Sequence, residues 1–357
     1  MTKKQSKKRS SMGKKIFLLV ILGGILGGLI TVVIAKNEYE QARQESISDL
    51  EESGKSIEDD EEIEFHASDD ELDYINVLLV GLDDEEDYAR TDTIMLAQYH
   101  PSEGEARLVS FMRDMYVTIP GHGDNKINAS YSLGGLELLR QTIDENFGID
   151  IHYFAQVDFD GFTRVIDTLA PEGIEVDVES RMYYENNSGS MVIDFYPGLQ
   201  IMDGEDALKY VRFRSDHEND FGRVRRQQQM MTILKEELMS LSGVRRIPQV
   251  LGSIEPYIQT NVSTQKMLSY GRDFFLNSVD EIETMTLPVE GSFYDEYYPH
   301  AGAVLEINKE QNRQELHQFL LGEYVDNNLE ENPDNADFPS ESETGEYDDS
   351  FEGSTEN

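Results

Sequence analysis

The sequence predicts an α/β domain, layered as α+β with a central mixed β-sheet flanked by helices, preceded by one N-terminal transmembrane helix. Three observations carry that expectation. Short apolar runs ended by Gly or turn residues alternate with longer segments whose apolar positions recur at helical spacing, a pattern that packs helices against a sheet. An uncharged apolar run fills residues 16–35. Acidic stretches with few aliphatic residues bracket the patterned part, so the core must form between them.

The elements follow in chain order. Lys3, Lys4, Lys7, Lys8, Arg9, Lys14 and Lys15 precede the apolar run. As a helix that run spans ~30 Å, the thickness of a hydrocarbon core. It is too long for a signal-peptide core and no small-residue cleavage site follows. It therefore reads as a signal-anchor in the cell membrane. The basic tail 1–15 stays cytoplasmic and the rest of the chain is extracytoplasmic. Gly23, Gly24, Gly27 and Gly28 give two overlapping GxxxG spacings that can pack a dimer. Residues 36–72 are polar and acidic and predict a self-repelling, extended stalk.

Residues 75–80 (INVLLV), closed by Gly81, read as a buried strand, and 93–99 and 106–111 read as two more. Leu133, Leu136, Leu139 and Ile143 give 132–146 an amphipathic helical face. A strand over 153–157, a helix over 159–169 and a strand over 174–178 come next. A helix over 203–211 follows, capped by Asp203. A longer helix spans 225–241, with two or three further helices up to residue 321. The folded domain is thus set at 73–325. Residues 326–357 form an acidic tail expected to be disordered.

Composition narrows the function classes. Of 357 residues, 71 are acidic and 30 basic, a formal net charge of -41, which argues against a nucleic-acid partner. There is no Cys, so disulfides and thiol metal sites are excluded. No GxxxxGK[ST], HExxH or GxSxG pattern occurs, and the His residues show no ligand spacing.

Against that acidic background, the stretch LKYVRFRSDHENDFGRVRRQQQ over 208–229 gathers Arg212, Arg214, Arg223, Arg225 and Arg226. Guanidinium groups stay charged at any working pH and match phosphate oxygens with paired donors. Arg212 and Arg214, at i, i+2, share a side of an extended segment. Arg223 and Arg226, at i, i+3, share a helix face. The pattern reads as an anion site, and Gln227 and Gln228 add uncharged donors. Asp83 after the first strand and Asp92 opening the second lie where α/β sheets bind ligands. Two carboxylates without His or Cys suit a hard cation such as Mg²⁺, although an Asp after a strand-ending Gly is also a common turn former.

These segments resemble the motifs of the LytR-CpsA-Psr family. Residues 207–214 (ALKYVRFR) with 220–228 (DFGRVRRQQ) resemble its "ALxYVRFR…DFGRxxRQQ" run. Gly81-Leu82-Asp83 with Arg90-Thr91-Asp92-Thr93 resembles "GxD…RxDT". Arg113-Asp114 keeps the end of "SIPRD", with Met112 in place of Pro, and 126–135 resembles "KINxAYxxGG". Asp167–Ile174 departs from the usual "DxLGGV". The resemblance covers roughly residues 74–241.

The resemblance implies a phosphotransferase on the outer membrane face of bacteria lacking an outer membrane. It would move a glycopolymer (teichoic acid, capsule or a related polysaccharide) from a polyprenyl-diphosphate carrier to peptidoglycan. Asp83 and Asp92 would hold Mg²⁺. Arg113, Arg212, Arg214 and Arg223 would clamp the diphosphate, with Arg90, Arg226 and Gln227 or Gln228 behind them. Asp92, then Asp114, is the candidate proton acceptor. Two other readings compete: a membrane-anchored regulator or attenuator, and a non-catalytic module that binds polyprenyl phosphate.

Overall fold

The structure, a computed structural model, describes residues 34–52, 73–83, 90–186, 191–215, 219–277, 279 and 281–321. Helix α1 covers 34–52. Strands β1 (Ile75–Asp83), β2 (Arg90–His100), β3 (Glu105–Phe111), β4 (Met115–Ile119) and β5 (Gly123–Lys126) lead into α2 (Ile127–Phe147). Next come β6 (Tyr153–Val157), α3 (Phe159–Leu169), β7 (Ile174–Val178), β8 (Met182–Glu185), β9 (Val192–Phe195) and β10 (Gly198–Met202). The chain continues with α4 (Gly204–Arg212), α5 (Asn219–Met239), α6 (Leu241–Ile254), β11 (Ile258–Thr260) and α7 (Thr264–Leu276). It closes with β12 (Ile282–Leu287), β13 (Phe293–Tyr298), β14 (Gly302–Ile307) and α8 (Lys309–Leu321).

The central sheet has the order β11-β6-β1-β2-β3-β12. It is mixed: β1 runs antiparallel to β2 and parallel to β6, and β3 runs parallel to β12. Both faces are covered, which is why β1 reads as a nearly unbroken apolar run. Leu78 and Val80 pair with Leu96 and Ile94 and pack into one core with Leu136, Leu139, Ile143 and Phe147 of α2 and Leu316 and Leu320 of α8. Leu79, opposite Met95, belongs to the other face, above which α3 and α5 pass. A second core joins α3, α4 and Met230 of α5 to β7, β8, β9 and β10. Asp158 and Asp203 cap α3 and α4 by accepting from the backbone N–H of Gly161 and Asp206 at 2.7 and 2.9 Å.

Three sequence expectations change. Residues 36–52 are helical instead of extended. Ala42, Ser46 and Leu50, one helical face, are buried, and Gly252 of α6 admits the Tyr39 carbonyl where a Cβ would sit 2.2 Å from it. Asp49 of this helix pairs with Arg164 at 2.9 Å and its Arg43 with Glu255, so ion pairs of both senses dock it on the domain. Second, the long helix covers Asn219–Met239 in place of 225–241; its opening NDFGRVRRQQQ is mostly polar and gives no apolar signal for the start. Third, the chain beyond residue 254 supplies strands as well as helices. β13 (FYDEYY) is largely exposed and charged, so it carries no core-facing signal. The expected transmembrane helix lies outside the described residues save for 34 and 35, as does the tail 326–357; among the described residues no helix is long and apolar enough to cross a membrane.

Candidate active site

The site begins with a local irregularity. In the β1–β2 ladder Gly81 faces Thr93 and Leu82 faces Thr91, which leaves Asp92 as an extra residue in β2. Such a bulge re-aims one side chain out of the alternation of the strand. Gly81 permits it, for a Cβ there would meet the Thr93 Cβ at 3.0 Å. Asp92 consequently lines a cavity beside the sheet while Thr91 is buried.

Two arginines converge on that carboxylate. Arg113, in the turn between β3 and β4, donates through Nη1 to Asp92 Oδ1 and through Nε to Asp220 Oδ2 at 3.1 Å. Arg223, one turn into α5, has its side chain 5% exposed; Nη1 lies 3.5 Å from Asp92 Oδ2 and Nη2 3.1 Å from Asp220 Oδ2. Its Nε has no acceptor among the described residues. Burial depresses the Arg223 pKa and Arg113 repels it, against the pull of Asp220 and Asp92. Burial works to raise the Asp92 pKa, but Arg113, Arg223 and Arg214 outweigh it and hold the carboxyl below its ordinary value. A buried guanidinium with an unmet donor beside a second one is an anion receptor.

The remaining predicted residues divide. Arg212 ends α4, instead of lying in an extended segment, and its guanidinium sits 4.2 Å over the Phe159 ring. Arg212, exposed Arg214 and Gln227 line the cavity mouth with Asp92, and Gln227 also donates to Thr93 Oγ1 at 2.9 Å. Arg226 turns away, donating to the Phe213 carbonyl and bracing the α4–α5 connection. Gln228 also turns inward, reaching Ser110 Oγ and the Met285 carbonyl at 2.9 and 3.0 Å. Asp114 accepts from Lys126 Nζ at 2.7 Å. Asp83 and Arg90 pair at the end of the β1–β2 ladder, and their side chains lie outside the described residues. Asp220 was absent from the sequence-derived set; its signal was its place three residues before Arg223 on one helix.

Behind the mouth the cavity, about 570 Å³, is apolar. Leu79 and Met95 form its floor, Phe162 and Val165 one wall, and Met230, Met231 and Leu234 the other. From Arg223 to Leu234, α5 lines it over about 16 Å. An anion-binding mouth on a long apolar pocket fits an amphiphile with a phosphate head.

The donor set also bears on a hard cation. Among the described residues no three His, Asp or Glu side chains converge. Asp92 supplies one ionised carboxylate at the mouth, and the backbone of Asp83 lies on the neighbouring strand. One or two carboxylates completed by phosphate oxygens suffice for Mg²⁺, so the residues fit a cation that arrives with a phosphate ligand.

Comparison with known proteins gives the family and the fold. The LytR_cpsA_psr family matches residues 36–316. "Regulatory protein MsrR" of Staphylococcus aureus (strain COL) is 40% identical over 247 residues, covering 69% of this chain and 74% of that one. "Polyisoprenyl-teichoic acid--peptidoglycan teichoic acid transferase TagT" of Bacillus subtilis (strain 168) is 29% identical over 318 residues, covering 86% and 91%. The solved LytR-CPS2A-psr family protein YwtF (TagT) with bound octaprenyl pyrophosphate lipid shares the mixed sheet and flanking helices. It superposes with a TM-score of 0.51 at 26% identity over 73% of this chain and 94% of that one.

Proposed function

The chain belongs to the LytR-CpsA-Psr family, and on that premise we propose that it is a membrane-anchored phosphotransferase of the outer membrane face. It moves a glycopolymer, of the teichoic acid or capsule class, from polyprenyl diphosphate to peptidoglycan. One observation carries the reading: the apolar cavity ends at the Asp92–Arg113–Arg223 cluster, so a prenyl chain and its diphosphate fit one continuous site. The relative named as a transferase, and the structure holding octaprenyl pyrophosphate, support it.

In this reading Arg113, Arg223, Arg212 and Arg214 receive the diphosphate, and the prenyl chain lies between α3 and α5. An acceptor hydroxyl attacks the phosphorus that carries the glycan. A new oxygen–phosphorus bond forms, the bond to the bridging oxygen breaks, and polyprenyl phosphate leaves. Positioning and charge neutralisation dominate such a transfer. Asp92, with Asp83 of the neighbouring strand as a second carboxylate, would hold Mg²⁺, which would supply further neutralisation of the diphosphate. Asp92 is a poor proton acceptor because the two guanidiniums favour its ionised form. We assign the hydroxyl proton to Asp114 by position: it is paired with Lys126 at 2.7 Å on the far side of Arg113, which leaves Asp92 for the cation.

The name of the Staphylococcus relative favours a second reading, a regulator that binds the same lipid without transfer. Full-length protein given a polyprenyl-diphosphate-linked oligosaccharide and peptidoglycan, with and without chelator, separates the two. Attachment that is lost with Arg113→Ala and with Asp92→Asn supports the transferase. Lipid binding without polyprenyl phosphate release from any donor supports the regulator.

A further inference from the structure

A second recess, about 540 Å³, adjoins the mouth. Arg214 lines both cavities, and Arg113, which lines the recess, donates to Asp92 of the first, so the two arginines stand between them. The new recess is polar where the first is apolar. Asp114, Asn125, Lys126, Asn128 and Ser132 face it from one side and His300 from the other.

Apart from Arg113, Asp114 and Arg214, its walls come from segments that the donor site does not use. The opening turns of α2 are set apart from the rest of that helix by non-helical backbone at Gly134 and by Gly135, at φ 65°. That break explains the Gly-Gly pair of the 126–135 motif, which otherwise has no work to do. Parallel pairing of β14 with β4, Leu305 opposite Met115 and Glu306 opposite Tyr116, carries the β13–β14 turn to the rim. His300 reaches the rim from that turn, held by the Tyr116 hydroxyl 3.1 Å from its Nε2, and the Tyr116 ring in turn stacks on Tyr298 at 4.5 Å.

We infer that this recess holds the acceptor, a glycan segment bearing a carboxylate, and presents its hydroxyl across Arg113 to the diphosphate. The inference rests on the transferase reading above. Asn and Ser side chains suit sugar hydroxyls, which both donate and accept. Lys126 and Arg214 suit a carboxylate, and the His300 ring at the rim suits a pyranose. Entry from this side brings the acceptor hydroxyl to Asp114, which lines the recess, and to the phosphorus from the side opposite the prenyl chain.

The test uses the full-length chain with two variants, Ser132→Trp, which fills the recess, and His300→Ala, which removes a rim contact. A soluble glycan–peptide fragment of peptidoglycan is titrated alone, and transfer is then measured with a polyprenyl-diphosphate disaccharide. Ser132→Trp is expected to weaken fragment binding and raise the acceptor KM by at least about tenfold, with the donor KM unchanged. His300→Ala is expected to act in the same direction more weakly. Transfer with an acceptor KM unaffected by either variant overturns the recess and leaves the transferase standing. Fragment binding that Ser132→Trp abolishes, in a protein that transfers nothing, keeps the recess and removes the transferase. No fragment binding by the wild-type chain overturns the recess as well.

Discussion

Arg113 Nε donates to Asp220 Oδ2 at 3.1 Å, linking the β3–β4 turn to the first turn of α5 across 107 residues of sequence. Asp220 also holds Arg223 at 3.1 Å, so one carboxylate sets both guanidiniums that face Asp92. Asp220→Ala should leave the fold in place and let the two arginines drift. Loss of positioning on that scale costs about 10²-fold in turnover. Steady-state kinetics of the variant should show the loss mostly in kcat; an unchanged kcat would remove Asp220 from the account.

Arg223 and Arg226 stand one helical turn apart and do different work. Arg223→Ala removes a donor from the anion site and should lower kcat by about 10²- to 10³-fold. Arg226→Ala strands the Phe213 carbonyl and should cost about 1–3 kcal/mol of stability, with a smaller kinetic effect. Thermal unfolding and kinetics on both variants should give opposite orders of severity.

The pattern of what could be read from sequence follows from these residues. Helical spacing put Arg223 and Arg226 on one face, but a face of a buried helix meets several neighbours, and only packing decides which guanidinium meets Asp92. The strands from 75 to 111 were legible because both faces are covered and the runs are apolar. β13 and β14 were not: they form a hairpin with each other, β14 joins distant β4 over only two residues, and the β13 side is charged and largely exposed. The bulge at Asp92 depends on cross-strand register, which no single strand encodes.

Val165→Trp should fill the apolar cavity between α3 and α5. Long-chain prenyl donors should then lose affinity while donors with short chains react at near wild-type rates. Equal KM values across chain lengths would show that the chain binds elsewhere.

Acid should weaken the clamp. Burial pushes the Asp92 pKa up, but Arg113, Arg223 and Arg214 bring it below 3.8. The folded value is the lower one, so the contribution is fully present above the unfolded value and fades as pH falls through the folded one. The difference in Tm between wild type and Asp92→Asn should be constant near neutrality and shrink below about pH 4. A gap that widens on acidification would contradict the ionised pair.

The most direct measurement follows radiolabelled polyprenyl-diphosphate oligosaccharide and peptidoglycan through a single incubation with the full-length protein and Mg²⁺. The account predicts label on peptidoglycan with stoichiometric release of polyprenyl phosphate, and neither product with Arg113→Ala or Arg223→Ala. Label that stays on the lipid with every donor, or transfer that survives both substitutions, would contradict it.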